Sequence, residues 1–275
     1  MQGYTFFTSV KKILLINKLM LMRIALSLIT AFGLLFLNSC KDESYVKTGS
    51  DFKYIKVEKE LDGDSKIENF IKPYHDTIEN RLDKTLSYTK NILWAARKKS
   101  AGPESPLGDL LSDLVYKQAS ERYKKEFGKE IDFAVLNRGG IRTTIGKGDI
   151  TLREMFEIMP FENTLLVVEI NPEKMKDLLN YMAISYGHPM SHIRLKVKDK
   201  KAFDVTIDGK PYDEKRNYKI VTTDYLQHGG DKMYFFSNPI SIDTLNYKMR
   251  DSMIDYFSKT DTVDIKLDGR FSYAK

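Results

Sequence analysis

The chain has 275 residues, enough for one large domain or two small ones. Its 44 Lys and Arg face 38 Asp and Glu, but four of the basic residues (Lys11, Lys12, Lys18 and Arg23) precede any acid. Residues 40–275 therefore hold 40 basic against 38 acidic side chains, a near balance that argues against a nucleic-acid polymer as partner.

Residues 1–39 read as a lipoprotein signal peptide. A basic start is followed by an apolar run from Ile24 to Leu37, of signal-peptide length and short for a membrane span. The run ends in Leu37-Asn38-Ser39-Cys40, which resembles a lipobox and marks Cys40 for lipidation. The plain alternative is a buried or free thiol. Translation starting at Met20 or Met22 leaves a normal signal. Cys40 is the only cysteine, so an exported mature chain is expected to have no disulfide. Lys41 after it points to the outer membrane of a Gram-negative bacterium. Residues 40–65 are rich in Lys, Asp, Glu and Ser and read as a tether, with a short strand at Phe52–Val57.

A globular region is expected over 66–275. Ile67, Phe70, Ile71 and Tyr74 mark one face of a helix running to about Leu82. A strand is expected over Thr85–Leu93. Ser105-Pro106 opens a second helix, with Leu107, Leu110, Leu111, Leu114 and Val115 on its buried face. Strands are expected at Ile131–Leu136 and Leu165–Ile170. Asn171-Pro172 caps a third helix, with the stripe Met175, Leu178, Leu179 and Met182 and a stop at Gly187. Strands follow at His192–Val197, Ala202–Ile207 and Tyr218–Thr223, with a hairpin turn at Asp208-Gly209. A last helix at Asn246–Ser258 and a strand at Val263–Leu267 complete a mixed-sheet α/β reading.

Three loops carry possible chemistry. Asn137-Arg138-Gly139-Gly140-Ile141-Arg142 follows a buried strand. Paired glycines allow close backbone approach, Asn suits a base edge, and Arg offers a fork of donors. Residue chemistry alone equally allows a plain Gly-Gly turn with surface arginines. In Met159-Pro160-Phe161-Glu162-Asn163 the proline fixes a turn that presents Phe161, although taken alone Phe161 reads as core. Asp224-Tyr225-Leu226-Gln227-His228-Gly229-Gly230-Asp231 sets an aromatic and a carboxylate around a second Gly-Gly pair, with His228 as a solvated loop residue.

Together these segments resemble the C-terminal domain of the 5'-nucleotidase family. Its pattern runs Asn-x-Gly-Gly-Ile-Arg, then Pro-Phe-x-Asn, then aromatic-Leu-x-x-Gly-Gly-Asp, and all three occur here in that order. The resemblance covers about residues 66–270. It implies a four-layer α/β/β/α domain with mixed sheets and flanking helices. It implies that Phe161 and Tyr225 clamp a base and that Asn137 bonds its edge. Arg142 and Asp231 would hold the ribose or phosphate side, with Gly139, Gly140, Gly229 and Gly230 shaping the loops. Two departures stand out. Ala101 occupies the slot where members often carry another ligand-binding Arg, and Arg138 replaces a commoner small residue.

Members hydrolyse phosphate esters with two metals held in an N-terminal metallophosphatase domain. His75, His188, His192 and His228 lie in no such ligand motif, so no metal or other cofactor is expected on this chain. The expected function is the nucleoside- or nucleotide-binding half of a split phosphohydrolase, inactive alone. A separate metallophosphatase polypeptide would supply the divalent metals. The alternatives are a non-catalytic nucleoside-binding lipoprotein and a degenerate structural one.

Overall fold

A computed structural model describes residues 20–28, 54, 63–95 and 102–274. Cys40, the strand expected at Phe52–Val57, most of the tether and Ala101 lie outside the described residues. Residues 20–28 are helical. Among the described residues no helix is long and apolar enough to cross a membrane. A separate compact unit runs from Gly63 to Lys275.

Several of its helices begin where side chains satisfy the first free amides. In α1 (Ser65–Leu82) Asp64 accepts from the amide of Lys66 at 2.8 Å. In α2 (Pro106–Phe127) Ser105 accepts from Gly108, Pro106 sits at the first position, and Gly128 closes the helix at φ +66°. Strand β1 (Thr85–Thr89) precedes α2, and β2 (Phe133–Val135) follows it. Next come β3 (Gly148–Thr151) and α3 (Leu152–Ile158), joined by a capping box of Thr151 and Glu154. After β4 (Thr164–Ile170), α4 (Pro172–Ile184) starts on Asn171, whose side chain accepts from Lys174 at 2.9 Å.

The remaining elements are β5 (Met190–Ser191), β6 (Ile193–Lys198), β7 (Lys201–Ile207), β8 (Lys210–Pro211), β9 (Tyr218–Thr223), the short α5 (Asp224–Gln227), β10 (Ser241–Lys248), α6 (Met249–Phe257), β11 (Thr262–Val263) and β12 (Phe271–Tyr273). The expected mixed α/β architecture with flanking helices is the observed one. Its three sheets run β10-β4-β9-β2-β5, β12-β6-β7-β8 and β11-β1-β3, each with parallel and antiparallel pairs.

The five-stranded sheet separates two apolar cores, because successive strand residues point to opposite faces. Leu165 and Val167 of β4 join Leu107, Leu111 and Leu114 of α2 and Phe257 of α6. Leu166, Val168 and Ile170 join Met175, Leu178 and Met182 of α4 and Ile193, Leu195 and Val197 of β6. Both helical stripes expected for α2 and α4 are buried.

Several boundaries differ from expectation. Strand β1 stops at Thr89, and β11 covers only two residues. The helix expected from Asn246 begins at Met249, and residues 241–248 form an edge strand instead. Ile67, Phe70, Ile71 and Tyr74 do form one face of α1, but that face is exposed and no residue of the helix is buried. α1 is held at one edge, where Arg153 of α3 pairs with Glu79 and Asp83.

Candidate functional site

Topology brings the three motif loops to one end of the central sheet. Strands β2 and β9 are parallel neighbours, with Phe133 opposite Ile220 and Ala134 opposite Val221. Their carboxyl ends therefore emerge together and lead into Asn137–Arg142 and into α5. Strand β4 is antiparallel to β9, with Leu165 opposite Thr223, so its entering loop, 159–163, reaches the same end. Loops beyond the carboxyl ends of parallel strands are a common place for ligand pockets in open α/β sheets.

A cavity of about 240 Å³ lies between these loops. It is lined by Asn137, Gly139, Gly140, Arg142, Phe161, Asn163, Tyr225 and Asp231. Of the nine ligand-site residues expected from sequence, seven stand on its wall. Gly229 and Gly230 act from behind it. Gly229 takes φ +89°, and a Cβ there would come within 3.1 Å of the Tyr234 ring. A Cβ on Gly230 would fall 2.4 Å from the Tyr225 ring, so only glycine lets that ring lie where it does.

Asp231 is the hinge between two loops. It takes φ +50°, a left-handed conformation that Asp tolerates better than most residues. Its Oδ2 accepts from Asn137 Nδ2 at 2.8 Å, and its Oδ1 accepts from the Tyr225 hydroxyl at 3.1 Å. Gly140 is required on the other loop, where a Cβ would lie 2.9 Å from Asn137 Oδ1.

Phe161 and Tyr225 are each about four-tenths exposed, leaving ring surface free for a planar ligand. Phe161 is presented by a braced loop. Lys248 Nζ donates to the Glu162 carbonyl at 2.8 Å, Arg250 Nη1 donates to the Met159 carbonyl at 3.1 Å, and Arg250 pairs with Glu162. Arg142 is anchored by its amide on the Ile158 carbonyl at 3.0 Å and lies 5.8 Å from the Phe161 ring centroid. The wall thus offers two aromatic faces, two amides, a guanidinium and a carboxylate. That set suits a flat polar heterocycle with hydroxyls or an anionic group attached.

Two residues were under-read in the sequence. Asn163 lies in the Pro-Phe-x-Asn motif and lines the cavity, yet residue chemistry gave it no role. Arg138 reads as a surface arginine, but its guanidinium turns inward. Nη1 donates to the Ala95 carbonyl at 3.1 Å, and Nη2 donates to the carbonyls of Pro103 and Gly187. His228 is exposed, with Nδ1 2.7 Å from the Asp224 carbonyl, as expected of a loop residue.

A larger cavity of about 350 Å³ lies elsewhere, beside Arg270, Asp113, Asp208 and His192. It contains none of the motif residues. Arg270 binds Asp113 at 2.7 Å and Asp268 at 3.0 Å and approaches Asp109 at 3.8 Å. Glu104, Asp109 and Asp268 are close enough to share a cation. However, Glu104 is taken by the amides of Gly269 and Phe271, and Asp268 by Arg270 and Arg194. Burial pushes the Asp109 carboxyl up to about 7, against the pull of Arg270. This network joins the start of α2 to the C-terminal segment.

Fold and site together define a mixed α/β domain that builds a two-aromatic pocket from three loops at one sheet end. Comparison with known proteins places that class. The family "5'-nucleotidase, C-terminal domain" matches residues 85–238, and the chain belongs to it. It is 24% identical over 192 residues to a 5'-nucleotidase of Vibrio cholerae, covering 68% of this chain and 33% of that protein. It is 25% identical over 181 residues to a 5'-nucleotidase of Vibrio vulnificus, covering 64% of this chain and 31% of that one. The 5'-nucleotidase precursor of Thermus thermophilus shares the fold with a TM-score of 0.61 and 21% identity, over 75% of this chain and 42% of that one. The chain thus spans about a third of the length of the curated relatives it matches.

Proposed function

We propose that this domain binds a nucleoside or nucleotide and presents it to a separate metallophosphatase polypeptide that carries the divalent metals. The base stacks between Phe161 and Tyr225, Asn137 bonds its edge, and Arg142 with Asp231 holds the ribose or phosphate side. The observation that carries this reading is the convergence of all three motif loops on one cavity. The cavity wall supports the division of labour: among the described residues it offers one carboxylate and no histidine, whereas two-metal chemistry needs a ligand cluster of another kind. Holding base and sugar contributes by fixing the phosphate relative to the partner's metals. In this proposal the chain is exported and held at the membrane through lipidated Cys40.

Calorimetry with adenosine and with AMP tests the binding role. Saturable binding in the wild type that is lost in Phe161→Ala is expected. No binding at millimolar ligand in either protein would favour a structural role for the domain. Phosphate release from AMP with Mn2+ tests the second claim. The purified chain alone is expected to give none, and turnover by it would overturn the split reading.

A further inference from the structure

Three side chains outside the cavity wall connect the two ligand loops to the rigid part of the fold. Tyr181 lies in the last turn of α4, whose Met175, Leu178 and Met182 are fully buried. Its hydroxyl donates to the backbone carbonyl of Asp231 at 2.7 Å. The Tyr181 and His188 rings stack, with centroids 5.4 Å apart and planes 28° from parallel. His188 Nδ1 accepts the amide of Arg138 at 3.3 Å. Arg138 is bonded into the chain between Asn137 and Gly139, and the Asn137–Asp231 hydrogen bond closes the circuit.

We propose that Tyr181, His188 and Arg138 form a positioning ring that sets the distance and orientation between loop 137–142 and loop 229–231. Asp231 needs this support because its backbone is left-handed, a conformation that persists only when neighbours fix it. Tyr181 fixes the carbonyl of that residue, while Asn137 and Tyr225 fix its carboxylate. The guanidinium of Arg138 adds a second anchor by tying Ala95, Pro103 and Gly187 beneath the first loop. The helix is thus the reference frame, and the ring carries its position to both halves of the pocket. A pocket held in its binding geometry loses less entropy to ordering when the ligand arrives.

The ring itself is a statement about this chain's geometry. Its consequence for nucleoside affinity rests on the proposed function. The two are separated by measuring hydrogen exchange and adenosine binding on the same full-length proteins. Tyr181→Phe removes the hydroxyl, and His188→Phe keeps a stacking ring but removes the acceptor. His188→Asn restores an acceptor near the position of Nδ1. In both phenylalanine variants, amides of 137–142 and 229–233 are expected to exchange about tenfold faster, as for the loss of one buried hydrogen bond. Exchange in β4 stays unchanged, and His188→Asn returns the loops toward wild type. Adenosine affinity falls about tenfold in the phenylalanine variants and recovers in His188→Asn. Unchanged loop exchange in both phenylalanine variants would overturn the ring, as would equal acceleration in β4. If wild type does not bind adenosine, the nucleoside reading falls, and loop exchange still decides the ring.

Discussion

Replacing Gly230 by alanine adds one methyl group behind the proposed ligand. The new Cβ would lie 2.4 Å from Cε1 and 2.5 Å from Cζ of Tyr225, well inside contact distance. An aromatic ring cannot bend away, so Tyr225 must rotate about its first side-chain bond. It is 45% exposed, and the turn toward solvent is open to it. The backbone of Gly230 is not left-handed, so alanine adds no φ strain there. The cost therefore falls on the pocket more than on the fold. The ring leaves its stacking position and its hydroxyl leaves Asp231 Oδ1. Stacking of a base on an aromatic contributes about 1–3 kcal/mol, so adenosine affinity should fall roughly 5- to 150-fold. Calorimetry reads the affinity, and a thermal melt shifted by only a few degrees shows that the fold persists. The double variant Gly230→Ala/Tyr225→Ala isolates the mechanism. Once the ring is gone, the added methyl has nothing to displace, so the two losses are strongly non-additive. Wild-type affinity in Gly230→Ala, or simple additivity in the double variant, would refute the reasoning.

Phe161→Trp should retain adenosine binding through its larger stacking face, whereas Phe161→Leu should lose most of it, both read by calorimetry. Burial raises the Asp109 carboxyl from its ordinary 3.8 to about 7. Between about pH 4 and pH 7 the unfolded chain sheds this proton and the folded chain keeps it, so stability falls as pH rises through that window. Asp109→Asn removes the slope. Its melting curve should match wild type near pH 4 and lie above it at pH 8, and a gap that narrows with rising pH would count against this. Arg270→Met leaves the half-exposed Asp113 and Asp268 without their shared partner, and urea denaturation should show a loss of about 1–3 kcal/mol. Arg270→Lys should recover only part of it, because lysine lacks the fork that reaches both carboxylates. Finally, the proposed lipid on Cys40 predicts a lipid-sized mass increment that Cys40→Ser abolishes, measured by mass spectrometry after detergent extraction; no increment in the wild type would overturn the anchor.

The helices legible in the sequence are those whose caps and stripes agree. Ser105-Pro106 and Asn171-Pro172 start α2 and α4, and their apolar stripes are buried as expected. Strand β10 was hidden by its own irregularity. Ile242, Leu245 and Tyr247 are spaced three and then two apart, which mixes helical and strand periods. The pairing with β4 shifts register after Thr244, and Asn246 takes φ +47° there. Strand β12 has three residues and exists only by pairing with β6, far away in sequence. α1 shows the reverse limit. Its periodicity correctly announces a helix but does not say whether anything covers the stripe. In the pocket, the wall residues were legible because they sit in ordered motifs. The support was not: Tyr181 belongs to a helix and His188 to the irregular segment before β5, and neither spacing nor composition links them to Asp231.

That support bears on what Asp231 can do in the proposed binding role. Asp231 is the only carboxylate among the described residues of the cavity wall. Both of its oxygens already accept hydrogen bonds, from Asn137 and from Tyr225, and its carbonyl accepts from Tyr181. Those bonds join two loops into one wall. A ribose diol can still donate to the remaining lone pairs, since each carboxylate oxygen accepts more than one hydrogen bond. A metal ion would instead compete with the contacts that fix the loops. The arrangement therefore fits the proposed binding role, in which Asp231 organises the pocket and orients a sugar.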